Sequence, residues 1–317
     1  MRADANMCVR RFCERLGIPR STWYYWRASH LQGREVRRWP APVVDAIEEP
    51  AAAKAYEFSA WGHRKIWVML RRDGYTVSQS SVKRALARRG LLMPVRYQAQ
   101  RRELARARRS LFRDPPTRRN RVWQTDFSEF ETTRAGTWQI SGVVDYVTKV
   151  CLAAPAAGTQ TAKDAIAAIH AAINEAESLL GHSLLDDCTN HHTGQITPVV
   201  IVSDNGPAYK STAFARLIAS RPELDHVRTR YRSPQTNGVV ERFNETLKYD
   251  HLYRHEIPNA AELASHIDEF RRLYNYVRPH ESIDDHAPMI AWRNPPGEPL
   301  PPGPSSNLFT PESVQKT

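Results

Sequence analysis

At 317 residues, with 41% hydrophobic and 25% charged residues, the chain has the composition of a globular protein with room for two or three domains. No apolar run reaches the roughly 18 residues of a membrane span, and the N-terminal stretch MRADANMCVRRFCERLG lacks the apolar segment of a secretory signal. A cytoplasmic protein with no membrane partner is therefore expected. Charge is unevenly placed: residues 1–121 carry 28 Lys and Arg against 10 Asp and Glu, and residues 122–317 carry 17 against 24. The first third reads as a grip for a polyanion, and the acidic remainder would repel a phosphate backbone unless cations intervene.

In chain order, Val9, Phe12, Cys13 and Leu16 line one helical face over 7–16, and Gly17-Ile18-Pro19 ends that helix. Ser21 is the expected N-cap of a second short helix. This N-terminal helical segment, residues 1–50, is either a helix-turn-helix remnant or a packed helical hairpin. Helical patterns follow over 43–57 and 63–72, and Ser78 is the expected N-cap of a helix over 79–89 that Gly90 ends. Val82, Ala85 and Leu86 give the last of these its buried face. Lys83, Arg84, Arg88 and Arg89 lie on the other faces, as in a recognition helix, which makes 51–95 a helix-turn-helix-like DNA-binding region. A merely solvated basic helix is the alternative. Residues 96–121 form an Arg-rich linker suited to tracking phosphates.

From 122 the pattern changes. Gln124, Asp126 and Ser128 alternate with Trp123, Thr125 and Phe127, a strand with its aromatics on one face. Strands over 138–146 and 149–154 complete an antiparallel meander. A long amphipathic helix over 161–180, a polar loop over 181–196, a strand over 198–202, a helix over 211–220, a strand over 226–231 and a helix from Val239 follow. This order implies an α/β fold, a mixed five-stranded sheet with helices on both faces, spanning 122–293. The tail, 294–317, is rich in Pro, Gly and Ser and is expected to be disordered.

The four cysteines are scattered and show no paired CxxC spacing, so a structural zinc site is not supported by them. Cys188 with His191 and His192 is the one short candidate cluster, and a polar surface loop explains it equally well. Three acids sit at ends or polar faces of elements: Asp126, Asp204 directly after the fourth strand, and Glu241 in the first turn of the helix from 239. Lys248 follows Glu241 by seven residues, two helical turns on the same side, roughly 10 Å along the axis. Hard carboxylate oxygens are the ligands Mg²⁺ or Mn²⁺ prefers, and a carboxylate cluster that holds such ions activates a nucleophile at phosphorus.

Three stretches, WQTDFSEF, VSDNGPAY and SPQTNGVVERFNETLK, together resemble the catalytic core of the DDE transposases and retroviral integrases, which has a ribonuclease-H-like fold. The likeness is strongest to bacterial insertion-sequence transposases. YNYVRPHESIDDHAP is similar to their Tyr-Asn-x-x-Arg-Pro-His stretch, and WGHRKIWVMLRRDGYTVSQSSVKRALARRGLL to their upstream helix-turn-helix region. The resemblance, over about 55–293, implies a transposase that cleaves and joins DNA strands at element ends. It assigns Asp126, Asp204 and Glu241 as catalytic metal ligands for Mg²⁺ or Mn²⁺. Lys248 and nearby Arg242 would meet DNA. Asn205 and Gly206 match the turn after the second aspartate, and Asn237 and Gly238 the loop before the helix, with Asn237 taken as DNA-binding. Lys83, Arg84 and Arg88 would bind DNA from the first third. Between Asp204 and Glu241 lie 36 residues, one more than the family's usual spacing. Asp145 is a rival first ligand, ranked behind Asp126 because VVDY matches a non-catalytic strand, and Asp187 is a weaker rival. His280 is expected either to touch DNA or to stabilise a helix end as a cation. The implied partners are duplex DNA at element ends and target, further copies of the chain in a synaptic complex, and an upstream-frame DNA-binding protein or fusion. The rival readings are a catalytically inert DNA-binding regulator and a Tyr or Ser recombinase, for which no covalent nucleophile within an Arg/His cluster is visible.

Overall fold

The computed structural model describes residues 7–31, 46–92, 116–228, 237–294, 298–301 and 303. The linker expected over 96–121 falls outside the described residues up to 115, as does most of the tail and the loop 229–236. Two units separate at Ala46/Ile47.

The first unit holds α1 (Val9–Leu16) and α2 (Arg20–Leu31). Gly17 adopts a left-handed conformation and closes α1, as its sequence position implies. Ser21 is not the cap of α2. The helix starts at Arg20, where the Pro19 carbonyl already accepts from the Thr22 and Trp23 amides, so Ser21 lies inside the first turn.

The second unit opens with α3 (Glu48–Glu57), α4 (His63–Arg72) and α5 (Gln79–Arg88). Ser78 caps α5 by accepting from the Ser81 amide at 3.1 Å. Ala51, Ile66, Leu70, Val82, Ala85 and Leu86 form the shared core of the three helices. Two of their basic residues point inward rather than toward a ligand. Arg64 pairs with Asp285 at 2.8 Å, and Arg72 donates to the Val277 and Asp285 carbonyls at 2.8 and 2.9 Å. Part of the positive surplus of the first third thus fastens the helices to the body that follows.

That body is a mixed sheet. Its strands are β1 (Val122–Thr132), β2 (Gly136–Asp145), β3 (Cys151–Ala153), the two-residue β4 (Ala156–Ala157), β5 (Val199–Ser203) and β6 (Leu224–Arg228). The order is β3-β2-β1-β5-β6, with β4 beside β2. β1, β2 and β3 are antiparallel, whereas β5 and β6 run parallel to β1. This is the ribonuclease-H-like arrangement: a meander extended by parallel strands through helical crossovers. One face carries α6 (Ala162–Leu180), α7 (Leu184–Cys188), α8 (Pro207–Lys210) and α9 (Thr212–Ala219), over a core that includes Trp123, Val143, Ile169 and Phe214. The other carries α10 (Gly238–Asp250) and α11 (Ala260–Arg272), over Phe130, Ile140, Val240, Phe243, Leu247 and Phe270. A short helix, α12 (Pro288–Arg293), follows, and its Met289 and Trp292 join the core on the α6 face.

Several boundaries differ from the sequence reading for local reasons. Stretch 181–196 is not all loop: Ser183 caps the single turn α7, which buries Leu184 and Cys188. β6 begins two residues earlier than expected, because Leu224 pairs with Val199 and is buried. α11 ends in a wide π-type turn, Leu273–Val277. There Asn275 accepts from the Cys151 amide at 2.9 Å and donates to its carbonyl at 3.0 Å, satisfying the backbone of β3. Tyr274 packs edge-on against Phe243, and Arg278 pairs with Asp250, at the end of α10, at 3.1 Å. His280 is not a cation: burial and the adjacent Arg278 guanidinium hold its pKa well below the ordinary value. In this chain the Tyr-Asn-x-x-Arg-Pro-His stretch therefore braces the sheet edge and the far end of α10.

Candidate active site

The side-chain alternation of β1 sorts its residues between the two layers. Trp123, Thr125 and Phe127 face α6 and α8, and Thr125 Oγ1 lies 3.1 Å from the hydroxyl of Tyr209. Gln124, Asp126, Ser128 and Phe130 face α10. The polar side of this strand is thus not solvated but covered by a helix, and Gln124 is 1% exposed. Parallel pairing sets Gln124 opposite Val202. Continuing that register by two residues places Asp204, the first residue past β5, level with Asp126. The Asp204 side chain accepts from the Gly206 amide at 3.0 Å, and a Cβ at 206 would come within 2.9 Å of the same oxygen. A side chain at 206 would make this carboxylate shift.

Glu241 reaches the same place from α10, and β1 itself fixes the start of that helix. Gln124 Oε1 accepts from the Val239 amide at 2.8 Å and the Val240 amide at 3.3 Å, serving as the helix cap that no residue of the helix provides. Asn237 donates through Nδ2 to the Thr125 carbonyl at 3.1 Å. Asn237 is buried at 4% exposure and belongs to this anchorage. Close approach of helix and sheet also depends on Gly142, the residue paired with Asp126 in β2. A Cβ there would stand 3.1 Å from Asn244 Oδ1, 3.3 Å from Val240 Cγ2 and 3.4 Å from Phe243 Cδ1. Gly142→Ala is expected to push α10 outward by a few tenths of an ångström, lowering stability by about 1 kcal/mol. Strand-joining activity should fall more steeply than stability, roughly tenfold, because Glu241 moves with the helix. Urea unfolding and single-turnover assays on the same preparation check both.

The electrostatics reflect three converging acids. Asp126 is pushed up to about 7, first by burial and then by the Asp204 and Glu241 charges, against the opposing pull of the Phe127 amide and the Asn244 side chain. Burial raises the Tyr209 hydroxyl as well, and Asp126 and Asp204 add to this, so the hydroxyl stays protonated beneath the site. On α10, burial lowers the Lys248 ammonium while Glu129 and Asp126 draw it the other way. Lys248 thus stands in the field of the carboxylates, on the side of α10 that the seven-residue spacing from Glu241 implies. Arg242 is half-buried, its Nε 3.5 Å from Glu245.

The donor set suits a hard divalent cation: carboxylate oxygens from β1, the end of β5 and α10, with one carboxyl pushed up to about 7 by burial and then by the other two charges. Asp145 does not belong to it. That side chain is fully buried at the far end of β2 and accepts from the Asn120, Val147 and Thr148 amides and the Thr148 hydroxyl. Asp187 accepts from Asn120 on the other face. Cys188 is buried, while His191 and His192 are exposed, and the three form no metal-ligating group among the described residues. Lys83 and Arg84 are exposed on α5, but Arg88 is tied to Glu48 of α3 at 3.0 Å. Arg88, expected as a DNA contact, makes this ion pair from an exposed position on α5. Sequence reasoning missed Gln124, Gly142, Tyr209 and Asn244. Two of these carried a signal: Gln124 shares the face of Asp126 two residues on, and Asn244 lies one turn from Glu241.

The chain is similar to several known proteins. Two family models, each described as an integrase core domain, match residues 116–234 and 223–288. Transposase InsD for insertion element IS2D of Escherichia coli (strain K12) is 24% identical over 244 residues, covering 73% of each chain. The insertion element IS2A uncharacterized 48.2 kDa protein of Escherichia coli is 24% identical over 250 residues, and there the chain spans only 53% of the relative's length. Among solved structures, the HTLV-2 integrase catalytic core domain in complex with magnesium is 21% identical, covering 53% of this chain and 94% of that one, with a TM-score of 0.38. The simian T-cell lymphotropic virus intasome in complex with a PP2A regulatory subunit is 19% identical, covering 82% and 80%, with a TM-score of 0.43. Residues 116–288, the span that carries Asp126, Asp204 and Glu241, thus match the integrase core domain, and the chain is similar in sequence to insertion-element transposases.

Proposed function

We propose that this chain is a DNA transposase that frees the 3′ ends of an insertion element and joins them to a target duplex by metal-dependent phosphodiester chemistry. The observation that supports this reading is the convergence of Asp126, Asp204 and Glu241 from two adjacent parallel strands and one helix, with Asp126 raised by burial and then by the other two charges. These three side chains would hold Mg²⁺, or Mn²⁺ in its place. When bound, the cation supplies charge stabilisation at the attacked phosphate and activates the attacking oxygen. The protein's own work is positioning. Gln124 and Asn237 fix the start of α10, Gly142 lets it lie close, and Lys248 and Arg242 meet the DNA backbone beside the reacting phosphodiester. Water breaks one phosphodiester and leaves a free 3′-hydroxyl. That hydroxyl then attacks a second phosphodiester in line, with no protein–DNA covalent bond.

Lys83 and Arg84 of α5, exposed beside the Arg88–Glu48 pair, form the grip on the element end. The active form is a homo-oligomer that brings two ends together in the cytoplasm, alone or with an upstream-frame DNA-binding partner. Among the described residues no helix is long and apolar enough to cross a membrane. The inert-regulator alternative gains no observation of its own, since all three acids are present.

The test is Mg²⁺-dependent cleavage and joining of a duplex carrying the element's terminal repeat. Glu241→Ala should bring product to background while DNA affinity is retained. Undiminished joining by that variant would remove Glu241 from the mechanism, and a trapped covalent adduct would point to a recombinase.

A further inference from the structure

A second group of metal-ligating side chains lies away from the carboxylates, at the opposite end of α10. His251 caps the C-terminus of α10, His255 follows a single 3₁₀ turn later, and His266 stands on α11. One ring nitrogen from each lies within 4.8 Å of the other two. His251 Nε2 and His266 Nδ1 are 3.1 Å apart. Glu269, on the same face of α11 as His266, brings Oε2 to 3.8 Å from His251 Nε2 and 3.7 Å from His266 Nδ1.

Three imidazoles and one carboxylate are a donor set for Zn²⁺. With bonds of 2.0–2.1 Å, tetrahedral ligand atoms stand about 3.3–3.4 Å apart, and these three separations bracket that value. The tautomers agree as well. His255 Nδ1 lies 3.0 Å from the His251 carbonyl, an acceptor only, so Nδ1 carries the proton and Nε2 is left with its lone pair. A ligating histidine ordinarily makes this outer hydrogen bond. Entry is open: His251, His255 and Glu269 line a cleft of about 1100 Å³ that also borders Phe58 and Trp61.

We infer that His251, His255, His266 and Glu269 form a structural site for Zn²⁺ that clamps the end of the catalytic helix to the helix packed beside it. Imidazole nitrogens favour Zn²⁺ and carboxylate oxygens favour Mg²⁺, so the two sites sort different ions. The clamp fixes the C-terminal end of α10 as Gln124 fixes its N-terminal end. It stands on these four residues whether or not the transposase reading holds.

The experiment uses the full chain stripped with a chelator and dialysed into excess Mg²⁺, then titrated with Zn²⁺ alone. One Zn²⁺ per chain by elemental analysis is expected, with a rise in Tm of about 5 °C. Co²⁺ in its place should give the intense visible absorption of a tetrahedral ion. Glu241→Gln should bind Zn²⁺ as the parent does. His266→Asn should lose both the stoichiometric ion and the Tm rise. Should His266→Asn fail to fold, Glu269→Gln, on an exposed side chain, should weaken Zn²⁺ by about 10–100-fold in a chelator competition. Absence of stoichiometric Zn²⁺ in the parent, unchanged binding in both His266→Asn and Glu269→Gln, or loss of binding in Glu241→Gln overturns the site.

Discussion

Replacing Asp126 by Asn is expected to abolish strand joining and, in the same molecule, to make the metal-free protein more stable at pH 8. The activity loss should be at least about 10³-fold, since removing one of three anionic ligands forfeits on the order of 4 kcal/mol at the transition state. The stability gain follows from linkage. Asp126 is held at about 7 in the folded chain by burial and by the Asp204 and Glu241 charges, against an ordinary aspartate value of 3.8. Between those two pH values the folded state binds a proton that the unfolded state has lost, so stability falls as pH rises through this window. Below about pH 4 both states are protonated and the penalty vanishes. Above about pH 7 it is complete, and an uncharged amide in place of the carboxylate escapes it. For a half-buried carboxyl screened by solvent, about 2 kcal/mol is a reasonable size. Thermal unfolding in chelator should therefore show the Asp126→Asn variant roughly 5 °C above the parent at pH 8 and level with it at pH 4. A parent whose metal-free stability is flat from pH 4 to 8 would refute the crowding of the three acids.

Gln124→Ala is the second large effect expected. The amides of Val239 and Val240 sit in the first turn of α10, and Gln124 Oε1 is the acceptor they share. The side chain is buried, so its removal leaves donors unmet away from water, at about 2 kcal/mol in urea unfolding. Activity should fall further than stability, about 100-fold, because the freed helix start carries Glu241 one turn on. Gln124→Glu keeps an acceptor facing a helix N-terminus, which favours negative charge, and should recover most of the stability. An alanine variant of parental activity would show that the loop before α10, not β1, sets the position of Glu241.

Much of the candidate site was legible in the sequence because its acids sit where local patterns place them. Asp126 lies on the polar face of a strand alternation, Asp204 follows an apolar strand before a Gly turn, and Glu241 lies beside an apolar helical face at spacings of three and four. The supporting residues were less legible. Gln124 and Gly142 look ordinary in their strands, and their roles exist only through contact with a helix more than 90 residues away in sequence. Asn237, expected as a DNA contact, is a further case: its hydrogen bond to the Thr125 carbonyl of β1 is recorded by no local pattern. Charge counting likewise does not say where each charge goes. Arg64, Arg72 and Arg88 count toward its surplus, yet the first two fasten the helices to the body and the third is paired with Glu48.

By itself the sequence determined the order of strands and helices and the mixed α/β class, since periodicity, turn residues and spacing are local properties of the chain; the three acids were singled out by the resemblance of their stretches to a known family. Tertiary structure decided which strand neighbours which, and so that the pairing of Gln124 with Val202 would bring Asp204 level with Asp126. It also decided that the polar face of β1 would be covered by α10, and that Tyr274, Asn275 and Arg278 would brace that helix and the sheet edge. The gathering of His251, His255, His266 and Glu269 arose in the same way. Burial and proximity, which raise Asp126, come from packing between elements distant in sequence, and no local pattern records them.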